Sequence, residues 1–149
     1  MSTFSVLVID DNLDDGFLAK RAIIKSGVPC VVEVASDGNQ AIERLRDAGP
    51  FSLILLDFKM PEPSGVKILQ FIRTFDKTRY TPVVMLSSSS MEEDVRAAYA
   101  AGANSYMHKD IDLSEFSAKL AVVLRYWIEL SLSPAQPKIN QRVSPLVGY

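Results

Sequence analysis

Three aspartates and one lysine stand at places from which a fold could bring them to a common point. Asp10 and Asp11 close the apolar run that begins at Phe4 (FSVLVID), Asp57 closes FSLILLD, and Lys109 follows the short run NSYM by one residue. If these runs are parallel strands, their carboxyl ends line the crevice in which open α/β sheets hold ligands. Two unit charges about 4 Å apart at an effective dielectric near 20 repel by about 4 kcal/mol, which is large beside a total stability of about 5–15 kcal/mol. A fold would not hold that cluster without a compensating cation. Oxygen-only ligands favour a hard cation, and Mg²⁺ in particular takes one or two carboxylates and draws its remaining ligands from water and phosphate. The pattern therefore points to Mg²⁺-dependent phosphoryl chemistry. Lys109 would meet the phosphate as a point charge, and Ser87, closing PVVMLS, would offer a hydroxyl donor. Taken singly, Asp10 or Lys109 reads more readily as a solvated strand end or helix cap; together, in this order, they outweigh that reading.

The elements that must position these groups are legible in the hydrophobic pattern. Phe4–Asp10, Val31–Ala35, Phe51–Asp57, Pro82–Ser87 and Asn104–Met107 are five strand candidates. Between and after them lie helix-period segments at about Asp15–Ser26, Asn39–Ala48, Val66–Asp76, Glu92–Ala101 and Asp112–Ser131, several preceded by Asp, Asn or Ser and followed by glycine. Strict alternation of strand and helix predicts a parallel sheet covered on both faces, with the nearly all-apolar first, third and fourth strands central. The shorter or more polar second and fifth are expected at the edges. Gly27, Gly49 and Gly102 fall where helical patterns stop, and Pro82 opens a strand, where its missing N–H is tolerated.

Length and composition set the outer bounds. The chain has 149 residues, of which 48% are apolar, enough for one domain with one buried core. No apolar run approaches the roughly 18 residues of a membrane helix, and the N-terminus has no basic segment before its apolar run. The expectation is a soluble, cytoplasmic chain with no membrane contact. A net charge of −2 gives no electrostatic footprint for nucleic acid. The single cysteine, Cys30, excludes an internal disulfide and reads as a small buried apolar residue. After Leu132 the segment SPAQPKINQRVSPLVGY carries three prolines and loses periodicity. The expected division is one domain over 1–131 and a tail or arm over 132–149.

Four segments in this order closely resemble the receiver domains of two-component response regulators, over about Phe4 to Leu124. VLVIDDN is similar to that family's first strand with its acidic pair, and LILLDFKMPEPSG to the phospho-acceptor strand and its loop. PVVMLSSSS is similar to the switch strand, and AGANSYMHKD to the segment bearing an aromatic residue and the lysine. The resemblance implies a flavodoxin-like, CheY-like doubly wound (βα)5 fold with strand order 2-1-3-4-5. It implies Asp57 as the phospho-accepting nucleophile, Asp11 and Asp57 as direct Mg²⁺ ligands, Asp10 acting through water, and the Lys59 main-chain carbonyl completing the protein ligands. Lys109 would contact the phosphoryl group, Ser87 would swing toward it, and Tyr106 would rotate inward into the space that opens. Met60, Pro61 and Gly65 match the loop that shapes the site. The implied function is a stand-alone receiver, not a metabolic enzyme, phosphorylated by a sensor histidine kinase and signalling through the surface of its fourth helix, fifth strand and fifth helix.

Two positions depart from the family pattern. Asp110 stands where proline usually follows the lysine in a cis peptide, and a non-proline cis bond costs about 2.5–4 kcal/mol. Ser87 stands where threonine is commoner; it keeps the hydroxyl and lacks the methyl group. The Lys109-Asp110 pair and the end RYWIELSLSP resemble a subgroup of single-domain receivers that serve phytochrome-type, light-regulated kinases.

The same residues admit other readings. His108, the one histidine, has no partner histidines or cysteines in sequence and reads as an ordinary strand-end residue. A haloacid-dehalogenase-type Mg²⁺ phosphatase is the main alternative, but its D-x-D-x-T element is absent, since Asp10 and Asp11 are adjacent. A flavodoxin-like electron carrier lacks its phosphate loop here. Along the last helix, Leu113, Phe116, Leu120, Val123, Trp127 and Leu130 recur at three- and four-residue steps, so the stripe runs on past the receiver's usual end. Trp127, Ile128 and Leu130, with the tail, are therefore candidates for a homodimer interface.

Overall fold

The computed structural model describes residues 4–109, 112–132 and 134. Five strands, β1 (Ser5–Ile9), β2 (Val31–Ala35), β3 (Leu53–Asp57), β4 (Val83–Ser87) and β5 (Ser105–His108), form one sheet in the order β2-β1-β3-β4-β5. All four pairings are parallel. Five helices connect and flank them: α1 (Leu13–Lys25), α2 (Gly38–Asp47), α3 (Gly65–Thr74), α4 (Glu92–Ala100) and α5 (Leu113–Leu124). The expected architecture, strand order and edge positions of β2 and β5 are all present.

Successive strand side chains point to opposite faces, so the central strands feed two cores. Leu7, Ile9, Ile54, Leu56 and Met85 pack on one face with α2 and α3 residues such as Leu45, Ile68 and Ile72. Val6, Val8, Leu53, Leu55, Val84 and Leu86 face the other side, against α1 and α5. Every residue of β3 and β4 is buried, which is why those segments read as continuous apolar runs rather than alternating ones.

The helices begin where polar side chains satisfy their free N–H groups. Asn12, Asp37, Ser64 and Asp112 each accept a hydrogen bond from the first turn of α1, α2, α3 and α5. Gly27, Gly49 and Gly102 have φ of 78°, 89° and 107°, values that L side chains rarely adopt.

Away from the carboxyl ends of the strands, Arg73 ties three elements together. From the last turn of α3 its Nε donates to the Gly102 carbonyl at 2.9 Å, one terminal nitrogen to the Thr81 carbonyl at 2.7 Å and the other to Asn104 Oδ1 at 2.7 Å. Asn104 Oδ1 also accepts from Val83 N at 2.8 Å. The entries to β4 and β5 are thus held by one rigid fork of donors. No helix among the described residues is long and apolar enough to cross a membrane.

The last helix departs from the expected single α-helix over Asp112–Ser131. It is α-helical to Leu124 and continues as a π-helix over Arg125–Leu130, closed by Ser131 N donating to the Tyr126 carbonyl at 2.7 Å. The buried apolar positions here are Phe116, Leu120, Leu124 and Ile128, at four-residue steps. In an α-helix each such step overshoots one turn by about 40°, and a wider turn takes back part of that drift. Ile128 is consequently 1% exposed and sits in the α1/α5 core. This corrects its grouping with Trp127 and Leu130 as interface: Trp127 packs partly against the same core, and only Leu130, at 71% exposure, faces out. The tail beyond residue 134 and the Lys109-Asp110 bond lie outside the described residues.

This packing predicts that Ile128→Ala lowers stability by about 2–4 kcal/mol, whereas Leu130→Ala changes it by less than about 0.5 kcal/mol. Urea denaturation at low protein concentration distinguishes the two; equal effects would mean that both side chains are buried by the same partner surface.

Candidate functional site

The parallel sheet places four polar side chains at the carboxyl ends of its inner strands and of β5. Asp10 immediately follows β1 and Asp57 ends β3, the strand paired with β1; Ser87 ends β4 and Lys109 follows β5. Asp10 and Asp57 are only 3% and 5% exposed, and Asp11 lies open beside them. One carboxylate oxygen from each of the three lies within 4.8 Å of the others. The sequence expectation that they converge is met.

Lys109 lies among them. Its Nζ is 2.9 Å from Asp10 Oδ2, 3.0 Å from Asp57 Oδ1 and 3.1 Å from Asp15 Oδ2. Asp15 is the residue that sequence reasoning passed over, treating it only as the start of a helix. Its helix phase is set by Asn12, whose Oδ1 accepts from Asp15 N at 3.0 Å, and that phase turns the carboxylate to the site. Asp10 is held in turn by Asn12 N, which donates to its Oδ1 at 3.0 Å.

The loop after β3 approaches α3 unusually closely. A Cβ at Gly65 would collide with the carbonyl oxygens of Asp57 and Phe58, so the start of α3 can sit against the strand end only because that residue has no side chain. Met60 is buried beneath the loop. Lys59, two residues after Asp57, is exposed, with Nζ 3.9 Å from Asp94 Oδ2 on α4.

On the other flank Ser87 Oγ accepts from Ser89 N at 3.0 Å. The Ser89 carbonyl accepts from the Tyr106 hydroxyl at 2.8 Å, and Ser89 Oγ donates to Asp94 Oδ2 at 2.6 Å. The Tyr106 ring is partly buried, edge-on to Phe58 at 5.9 Å. His108 ends β5 with its Nε2 2.9 Å from the Ser88 carbonyl. It makes a loop contact, as a strand-end residue would.

The electrostatics follow from burial and crowding. Burial, then the charge of Asp10, push the Asp57 carboxyl up to about 7, with Lys109 pulling in the opposite direction. Burial likewise raises Asp10. Burial disfavours the Lys109 ammonium, but its hydrogen bond to Asp10 and the charge of Asp57 outweigh that and raise its pKa. Lys109 pairs with three carboxylates, and Asp11 lies beside two of them, so the cluster is under-compensated. An all-oxygen donor set of this kind fits a hard divalent cation such as Mg²⁺.

Known proteins resemble this chain in sequence and in fold. Residues 6–121 match the family model described as response regulator receiver domain. A probable methanogenesis regulatory protein, FilR2 of Methanothrix harundinacea, is 31% identical over 136 residues, covering 88% of both chains. The structure of the phosphorylated cyanobacterial phytochrome response regulator RcpA superposes with a TM-score of 0.80 at 29% identity, covering 89% of this chain and 99% of that one. The Mn²⁺-bound form of Rcp1, a response regulator of Synechocystis, superposes with a TM-score of 0.76 at 27% identity, covering 89% of this chain and 99% of that one.

The raised Asp57 pKa carries a stability consequence. The folded state binds its proton up to about pH 7 while an unfolded aspartate releases it near 3.8, so the stabilisation is full below the unfolded value and is lost as pH rises through the folded one. Without divalent metal, Asp57→Asn is expected to be more stable than wild type by about 0.5–2 kcal/mol at pH 8, with the gap narrowing by pH 5. Chemical denaturation in a chelator at the two pH values measures it.

Proposed function

Because the chain belongs to the response regulator receiver family, we propose that it is a phosphorelay receiver, accepting a phosphoryl group on Asp57 from a sensor histidine kinase. The observation that carries this reading is a carboxylate 5% exposed at the end of β3, with an ammonium at 3.0 Å and two further aspartates whose oxygens lie within 4.8 Å. An Asp57 carboxylate oxygen attacks the phosphorus of a phosphohistidine; the new P–O bond forms as the P–N bond breaks, and the imidazole leaves with the electron pair and takes a proton from solvent. Lys109 neutralises charge on the transferring group, and the Ser87 hydroxyl donates to a phosphoryl oxygen. Asp57 and Asp11, with the Lys59 main-chain carbonyl and Asp10 through water, would hold Mg²⁺. When bound, the ion supplies charge neutralisation at the phosphoryl oxygens.

Output in this reading is a change of surface over α4, β5 and α5. The Tyr106–Ser89 hydrogen bond supports it, since a loop moving with Ser87 must alter that contact. The likeness to RcpA favours a phytochrome-type kinase and a response to light. A cytoplasmic homodimer is part of the proposal; of the residues that the sequence assigns to its interface Leu130 is the exposed one, and Val122 and Tyr126, which lie off the apolar stripe, are exposed beside it.

Incubation with a small acyl phosphate and Mg²⁺ is expected to add one phosphoryl group to the wild-type mass, and none to Asp57→Asn or in the presence of a chelator. Labelling that persists in Asp57→Asn would move the acceptor elsewhere. Rapid turnover of general phosphomonoesters would favour the phosphatase alternative.

A further inference from the structure

Lys109 has a third carboxylate partner that the acceptor chemistry does not require. An ammonium has three N–H donors and no acceptor; Lys109 Nζ donates to Asp10 from the end of β1 and to Asp15 from the first turn of α1, and pairs with Asp57 Oδ1 at 3.0 Å. Asp10 and Asp57 are buried; Asp15 is 40% exposed and approaches from the outer side.

When Asp57 is phosphorylated, one of its oxygens becomes the bridging atom and the charge moves outward onto the phosphoryl group. Lys109 then has to turn one donor outward while the other two stay in place. A lysine on four flexible carbons does not hold such a position unaided. Between α1 and α5 is a cavity of about 110 Å³, lined in one part by Lys109, Asp10 and Asp15 themselves and in its apolar part by Leu18, Leu113 and Phe116. Apolar walls of this kind suit a lysine stem lying along them, so an unanchored Lys109 has somewhere else to go.

We propose that Asp15 is a positioning residue for phosphoryl transfer: together with Asp10 it clamps Lys109 so that a single donor changes partner during the reaction. The idea rests on the receiver reading above. Because the clamp acts on the charge that stabilises the transferring group, it speeds both gain and loss of the phosphoryl group. Asp15 also sits where an acidic residue favours a helix N-terminus, and the test has to separate the two roles.

Phosphorylation and dephosphorylation of full-length wild type, Asp15→Ala, Asp15→Asn, Lys109→Ala and Asp15→Ala/Lys109→Ala are followed by mass spectrometry with an acyl phosphate donor. Affinities for Mg²⁺ alone and for beryllofluoride with Mg²⁺ are measured by calorimetry. Removing a whole electrostatic donor costs about 10²–10³-fold; loosening one is expected to cost about tenfold here, in both rate constants at saturating donor. Asp15→Asn, which keeps an acceptor, should recover most of that loss. Mg²⁺ affinity should stay within about twofold of wild type while beryllofluoride binding weakens, and Asp15→Ala should add nothing in the Lys109→Ala background. Rates unchanged in Asp15→Ala overturn the proposal. So does a tenfold loss that persists without Lys109, or one matched by an equal fall in Mg²⁺ affinity. A wild-type protein that takes no label overturns the receiver reading and the clamp with it; a labelled wild type indistinguishable from Asp15→Ala overturns the clamp alone.

Discussion

Lys109 is the charge on which the site depends. Asp10 and Asp57 are both almost inaccessible to water, and two such carboxylates side by side would otherwise take up a proton or force the strand ends apart. The ammonium at 2.9 and 3.0 Å lets them stay close. It leaves the account unbalanced, since one positive charge cannot offset Asp10, Asp11, Asp15 and Asp57 together. The residual negative charge favours a divalent ion, and the raised Asp57 pKa reflects burial first and the neighbouring Asp10 charge second, with Lys109 only partly opposing them. Stability and function pull in opposite directions at this point, as they commonly do where a site must stay reactive.

The surrounding fold exists to keep that arrangement narrow. Parallel pairing of β1 with β3 brings Asp10 and Asp57 to the same end of the sheet, and the bare Cα of Gly65 lets α3 close against the end of β3. Asn12 serves two purposes, fixing Asp10 through its main-chain N–H and Asp15 through its side chain. Few of these contacts are strong individually. Their effect is to fix the positions of Asp10, Asp15 and the end of β3 around Lys109.

Much of this was legible in the sequence because it rests on short-range signals. Apolar runs bounded by Asp, Asn and Gly marked the strands, caps and helix ends, and the strand-end rule then brought Asp10, Asp11, Asp57, Ser87 and Lys109 to one crevice. Asp15 was missed for a physical reason: whether a residue in the first turn of a helix points at the site depends on the cap residue and on the phase it sets, and a start one or two residues off turns the side chain away. The end of α5 was misread similarly. Three- and four-residue spacing selects Trp127 and Leu130 if the helix is α throughout, but the π segment keeps Ile128 in line with Leu124 instead. Periodicity reports the number of residues per turn only where that number is constant.

Arg73 gives the sheet unequal ends. Its guanidinium joins α3 to the entries of β4 and β5 through the Thr81 and Gly102 carbonyls and Asn104. At the exits of the same two strands, the Ser88–Ser89 segment hangs on side chains from β5, Tyr106 and His108. One end is therefore fastened by a single rigid cation and the other by two separate side chains on the edge strand. β4 itself is paired with β3 and β5 along its length, so the part of this end that can shift without breaking the sheet is the Ser88–Ser89 segment, and only by exchanging the Tyr106 or His108 contact for another.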